Sequence, residues 1–379
     1  MKNRLRLFTV SLILISVGAM SALSAFRKTK DAKPVAATTH ESPTSQPATE
    51  QGRPFSAIVA PVDLPALTKK ADLIVVGRVD SVKNLDLITG NVEGRAMQAQ
   101  RMVASLNVDR VIKGSAETTR LSFDFLMPRT QSSYRDIRTS EMGMFFLRKN
   151  GERDFEILDP HYPFVIASST AVATDADDLD RVVRVVGSKL TDPASSVSDR
   201  RAVVNVLTSA RTDLSDNILR QAAKDNDAVV RLQALSALLS RGDVSMLAEA
   251  ERLLLRRPAN TDDYLLANLS SALEGIRDPQ ALPTLKRLLK STDRNTRLSA
   301  ALALRQMRTA DAIEGLSAAL DDSDRDVRYQ AVIGLAEFTR QDSWAPSISL
   351  FRQDEKPYLV HWKAWVQTQT APKHPGRNG

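Results

Sequence analysis

Four leucines set the frame. Leu238, Leu273, Leu304 and Leu335 follow one another at steps of 35, 31 and 31 residues. The residue before each is small: Ala237, Ala272, Ala303 and Gly334. Eleven residues ahead stand Asp227, Asp262, Asp293 and Asp324; seven ahead stand Arg231, Leu266, Arg297 and Arg328. One step of 31 earlier, Leu207 and Arg200 fall in register, with Val206 in the small slot and Ser196 in the Asp slot. Self-similarity at a period of roughly 20–50 residues marks stacked supersecondary units. Such a unit cannot bury its apolar face alone, so this half of the chain has to fold as an array.

The chemistry inside each unit specifies two helices. Asp or Ser at the start accepts hydrogen bonds from the free N–H groups of a first turn. Apolar residues then recur at three- and four-residue spacing, as in Leu298, Ala301, Leu302, Leu304 and Met307. Small residues such as Ala237 and Ala303 let neighbouring helices approach. A polar turn follows, Arg241-Gly242-Asp243 or Arg277-Asp278-Pro279, and then a second helix with Leu282, Leu285 and Leu289 or Ile313, Leu316 and Leu320. Five units over residues 193–354 predict an α-solenoid of about five helix pairs. Residues 356–369, with Trp362 and Trp365, read as its C-terminal cap within 355–379, ending in a frayed tail.

The phrases Asp227-Ala228-Val229-Val230-Arg231-Leu232-Gln233-Ala234 and Asp324-Arg325-Asp326-Val327-Arg328-Tyr329-Gln330-Ala331 resemble the short bacterial HEAT repeats, the class also found in phycobilin lyases. The likeness covers about 160 residues. It departs at Leu266, where the arginine is missing, and in a four-residue insertion near residues 257–261. The resemblance implies that the repeated Asp and Arg link neighbouring units, a role carried to Asp293, Arg297, Asp324 and Arg328. It implies no catalytic site.

Ahead of the repeats the texture changes. Residues 55–169 read as a small, mainly antiparallel β-barrel or sandwich. Asp63 and Pro65 open a short helix over 63–71. Residues 72–82 are β-branched and apolar, a strand. Ala104, Leu106 and Val108 alternate with polar residues, as do Leu121, Phe123 and Phe125, which gives two half-buried strands. Further strands are expected over 142–147 and 155–158, joined by a hairpin at Asn150-Gly151. The runs Ala71-Asp72-Leu73-Ile74-Val75-Val76-Gly77-Arg78-Val79, Val108-Asp109-Arg110-Val111-Ile112-Lys113-Gly114 and Gly143-Met144-Phe145-Phe146-Leu147 look like the strand pattern of the netrin/TIMP-like OB-barrel. Metalloprotease inhibitors of that family place an N-terminal cysteine on zinc. This chain has no cysteine, so the resemblance implies a fold and not that activity. Residues 170–192 are expected to form a linker helix, capped by the acidic group Asp175, Asp177, Asp178 and Asp180.

The charge has an address. The chain carries 52 Lys and Arg against 45 Asp and Glu, a net of +7. Seven of the basic residues and one acidic residue lie in residues 1–33, so the remainder is nearly neutral and has no overall footprint for phosphate. Residues 1–27 combine a basic start, an apolar run over 7–23 and small residues at Ala22, Ser24 and Ala25, the order of a secretory signal. Residues 7–26 are also long enough for an uncleaved inner-membrane anchor. Both readings place the bulk of the chain outside the cytoplasm, periplasmic or extracellular. Residues 28–54, rich in Pro, Thr, Ser and Ala, predict a flexible spacer that includes His40.

No constellation of catalytic residues emerges. Zero cysteines exclude a disulfide framework, a thiolate zinc site and a cysteine nucleophile. His161 and His361 have no histidine four residues on and no serine elbow near them. No phosphate-cradling glycine motif is present. Asp322, Asp324 and Asp326 begin like a calcium loop, but Val327 and Ile333 occupy the positions that need Gly and Glu. Catalytic, metal and cofactor residues are therefore expected to be none. The expected function is an exported scaffold that binds an unidentified protein or peptide and no nucleic acid. The alternatives are a lyase-like enzyme on HEAT-like repeats and an envelope protease regulator acting through the β-domain.

Overall fold

The computed structural model describes residues 61–92, 95–129, 134–151, 155–171, 174–257 and 261–370. The leader, the spacer with His40, residues 258–260 of the insertion and the tail after residue 370 lie outside the described residues. Among the described residues, no helix is long and apolar enough to cross a membrane.

The chain enters through α1 (Leu64–Lys70), capped by Asp63, whose carboxylate accepts from Ala66 N at 2.9 Å. Five strands follow: β1 (Leu73–Val92), β2 (Arg95–Lys113), β3 (Arg120–Pro128), β4 (Met142–Lys149) and β5 (Phe155–Ile157). They pair in the order β1-β2-β3-β5-β4, and β4 pairs with β1 again, so the sheet is a closed barrel and not a sandwich. All pairs are antiparallel except β3 with β5. The interior holds Leu73, Val75, Leu106, Phe123, Phe145 and Leu147. At Gly77 a Cβ would lie 2.4 Å from the Asn107 carbonyl oxygen, so the β1–β2 pair closes over this position only with glycine.

Two expectations need correction. The first strand does not end near Val82, nor does the second begin near Ala104. β1 and β2 run on as an antiparallel ribbon, pairing Asn84 with Met102 and Ile88 with Ala99. The pattern there is mixed because β1 leaves β4 after Arg78, and side chains such as Leu85 and Leu87 are exposed. Second, the helix expected over residues 170–192 is shorter than that span and packs into the core rather than merely joining two parts. This helix, α2 (Asp178–Gly187), buries Val182, Val183, Val185 and Val186 completely. Ile74, Val76, Met144 and Phe146 on the outer face of β1 and β4 belong to the same apolar cluster as α1, α2 and the helices beyond. Both faces of β1 are thus buried, which is why its sequence is a continuous apolar run rather than an alternation.

The helical region continues in pairs. The first helices are α3 (Val197–Leu207), α5 (Ala228–Ser240), α7 (Asp263–Ala272), α9 (Arg294–Met307) and α11 (Arg325–Thr339). The second helices are α4 (Asp213–Ala222), α6 (Leu247–Arg256), α8 (Leu282–Leu288), α10 (Ala312–Ala319) and α12 (Ile348–Gln353). Leu238, Leu273, Leu304 and Leu335 are fully buried. At the small slot of α11, a Cβ on Gly334 would lie 2.9 Å from Leu316 Cδ1, which explains why nothing larger stands there. The stack ends on α13 (Lys356–Thr370), whose Trp362 is fully buried and donates from Nε1 to the Trp344 carbonyl at 3.2 Å. Trp365 packs edge-on to it at 5.7 Å.

Candidate interaction face

The repeated acidic residues sit at helix starts. Asp227 accepts from Val229 N and Val230 N, both at 3.0 Å; Asp262 from Tyr264 N at 2.7 Å; Asp293 from Thr296 N at 2.8 Å; Asp324 from Asp326 N and Val327 N. Each fixes where a first helix begins, and so which residues its outer face presents.

The arginines tie one unit to the next. Arg297 reaches Asp322 at 2.8 Å, and Arg328 reaches Glu355 at 2.6 Å. In the first unit Arg200 reaches Asp225 at 2.7 Å. Arg231 donates to the Asp225 and Asn226 carbonyls at 2.6 and 2.8 Å and pairs with no carboxylate of the next unit among the described residues. Where Leu266 replaces the arginine, Arg257 crosses to Asp293 at 2.6 Å. Arg294 bridges Asp324 and Asp326. The three carboxylates of the calcium-like phrase therefore each face a guanidinium. Among the described residues, no group of three or more His, Asp or Glu side chains is arranged to hold a metal ion. In the segment before α2, Asp177 caps the helix, and Asp175 pairs with Arg184 at 2.6 Å.

These pairs carry a pH signature. Arg200 hydrogen-bonded to Asp225 holds that carboxyl below its ordinary 3.8. Arg287 on Glu251 and Arg184 on Asp175 lower those carboxyls in the same way, from 4.5 and 3.8. Because the folded-state values are depressed, the stability these pairs add is complete above the unfolded values and is lost as pH falls through the folded ones. Thermal midpoints measured along a pH series should be level from about pH 7 to 5 and drop below about pH 4. A midpoint unchanged down to pH 3 would contradict the pairing.

The first helices also shape a surface. A cavity of about 600 Å³ runs across α3, α5 and α7. It is lined by Asn205 and Thr208, then Gln233, Ser236 and Ser240, then Tyr264, Asn268 and Ser271, with alanines and Leu265 as its floor. None of these residues is charged. Tyr264 stands 71% exposed at the rim. Gln233 Oε1 is buried and has no hydrogen-bond partner among the described residues. The row is legible in the repeat register: Gln233, Asn268 and Gln330 all stand five residues before a register leucine.

His161 and His361 enter no site of this kind. His161 lies edge-on to Tyr134 at 4.9 Å. His361 stacks on Trp344 at 3.8 Å, and burial lowers its pKa.

Comparison with known proteins agrees with the helical geometry. No curated protein matches the chain. Among solved structures, the YibA protein of Escherichia coli is 21% identical, over 45% of this chain and 68% of that one, with a TM-score of 0.30. An engineered protein is 18% identical over 53% of this chain and 62% of that one, with a TM-score of 0.28. Residues 250–336, from α6 into α11, match the family described as HEAT repeats, and the paired, capped helices on either side continue the same register.

Proposed function

We propose that this chain is a non-catalytic HEAT-repeat scaffold, exported to the cell envelope, whose first helices hold another protein by an extended segment. The observation that carries the reading is the uncharged cavity across α3, α5 and α7. Charged residues make up 26% of the chain, yet eleven lining residues include none. Amides and hydroxyls in a row suit the alternating donors and acceptors of a peptide backbone. Fold analogy to other repeat scaffolds adds only an associational argument.

The absence of cysteine makes the test clean. A single Ser271→Cys, exposed on α7, can carry a photo-crosslinker, with Ala318→Cys on α10 as control. Crosslinked adducts are expected from position 271 in envelope extract and not from 318. Equal labelling from both positions would sink the reading.

Export rests on the charge order of residues 1–27. A reporter that works only outside the cytoplasm should be active when fused after Pro54. Silence there, with a cytoplasmic reporter active at the same junction, would exclude export. Intact mass then separates a cleaved leader from an inner-membrane anchor over residues 7–26. The barrel is read as OB-type, in keeping with the resemblance of its strands. Its support is a five-stranded closed order with one parallel pair, β3 with β5. In this reading it closes the first end of the stack through α1 and α2 and inhibits no protease.

A further inference from the structure

A second cavity, of about 440 Å³, opens on the later first helices. Its lining is Arg277, Arg305, Gln306, Arg308 and Glu337. The repeat register relates it to the uncharged cavity. Ser240, Gln306 and Glu337 each stand two residues after a register leucine, and Arg277 and Arg308 each stand four after one. This cavity occupies the C-terminal ends of first helices in the later units; the uncharged one lies along the faces of α5 and α7 in the early units and reaches the same level at Ser240.

The charges here do not balance. Arg305 is already committed: it donates to Glu337 at 2.5 and 3.0 Å and to Gln330 at 2.8 Å. Arg277 donates to the Ile276 carbonyl at 2.7 Å and to the neutral side chain of Gln306. Arg308 ends α9 in the left-handed region, at φ 53°, and reaches no carboxylate among the described residues. Elsewhere in the stack, interunit arginines such as Arg200, Arg297 and Arg328 each face one. Arg277 and Arg308, both exposed, thus face no carboxylate among the described residues, while Arg305 takes the one carboxylate of the cavity. Guanidinium recognises a carboxylate through two parallel N–H···O bonds, a geometry that a lysine cannot supply.

We propose that Arg277 and Arg308 seat a carboxylate of the same extended peptide whose uncharged stretch lies over α3, α5 and α7. The proposal rests on the scaffold reading and deepens it by stating the partner's chemistry. Neighbouring helices lie about 8–10 Å apart. An extended chain advances about 3.3 Å per residue. The carboxylate therefore lies about three to six residues from the uncharged block, and the spacing is the same for either chain direction. It is an Asp or Glu side chain of the peptide.

The test presents random twelve-residue peptides to the full chain in two libraries, one with free and one with amidated C-termini. Enriched peptides are expected to carry an uncharged polar block and an acidic residue at that spacing. Enrichment confined to the free-ended library would overturn the side-chain assignment. Arg308→Gln should weaken enriched acidic peptides about tenfold and erase the acidic preference, while an unchanged melting curve shows that the fold is intact. Arg308 is the cleaner variant, because Arg277 also serves backbone carbonyls. Enrichment with no acidic preference, or a preference that survives Arg308→Gln, overturns the arginine seat and leaves the scaffold reading standing. No enrichment in either library overturns both.

Discussion

Leu304→Ala is expected to lower the unfolding free energy by about 2–5 kcal/mol. Leu304 lies in the last turn of α9 and is fully buried. It packs against the bare backbone of α10: a Cβ on Gly315 would stand only 2.8 Å from Leu304 Cδ1. Truncation leaves a hole walled partly by main chain. Main chain cannot swing in to fill it, so the cost should fall high in that range. Asp293→Ala is the informative comparison. It removes a cap, worth about 0.5–2 kcal/mol, and one partner of Arg257, which keeps its contact with Asp263. Urea unfolding of both variants should therefore rank Leu304→Ala well below Asp293→Ala in midpoint. The reverse order would mean that the Arg257 crossing, and not the leucine row, holds the middle of the stack.

Asp322→Ala is expected to be as damaging, at about 3–5 kcal/mol, by a different route. The Arg297–Asp322 pair is the most enclosed of the interunit pairs, with side-chain exposures of 13% and 7%. Removing the carboxylate leaves a buried guanidinium that keeps only the Ser291 and Thr292 carbonyls and the Ser323 hydroxyl. The double variant Arg297→Met with Asp322→Leu should recover most of the loss, because it removes the stranded charge as well as its partner. By contrast, breaking the exposed Arg101–Asp86 pair on the β-ribbon should cost about 0–1 kcal/mol. A chemical denaturation series over these four proteins checks the ordering. A double variant no better than Asp322→Ala would show that the pair itself, and not the unpaired charge, sets the cost.

Much of the helical half was determined by the sequence alone. Asp227, Asp262, Asp293 and Asp324 are legible as caps because a capping bond closes within two or three residues of chain. The leucine row is legible because each unit repeats the same burial at a fixed spacing. The Asn150-Gly151 turn is legible for the same local reason, and Gly151 has φ 94°.

What tertiary structure decided is non-local. The resemblance carried an inter-unit role to Asp293, Arg297, Asp324 and Arg328 without saying which pairs with which; Asp293 and Asp324 take Arg257 and Arg294. Arg200 and Arg297 take Asp225 and Asp322, two residues ahead of the caps, because the turn between units brings those carboxylates under the guanidinium. The ribbon of β1 and β2 past Val82 was missed because its stability comes from cross-strand pairing that no period-two burial records. Ring closure rests on three residues of β5 lying parallel to β3, a contact with no local signal. The uncharged cavity and the arginine pocket arise the same way: stacking sets side chains from successive units in one row, and a single unit carries only one rung of it.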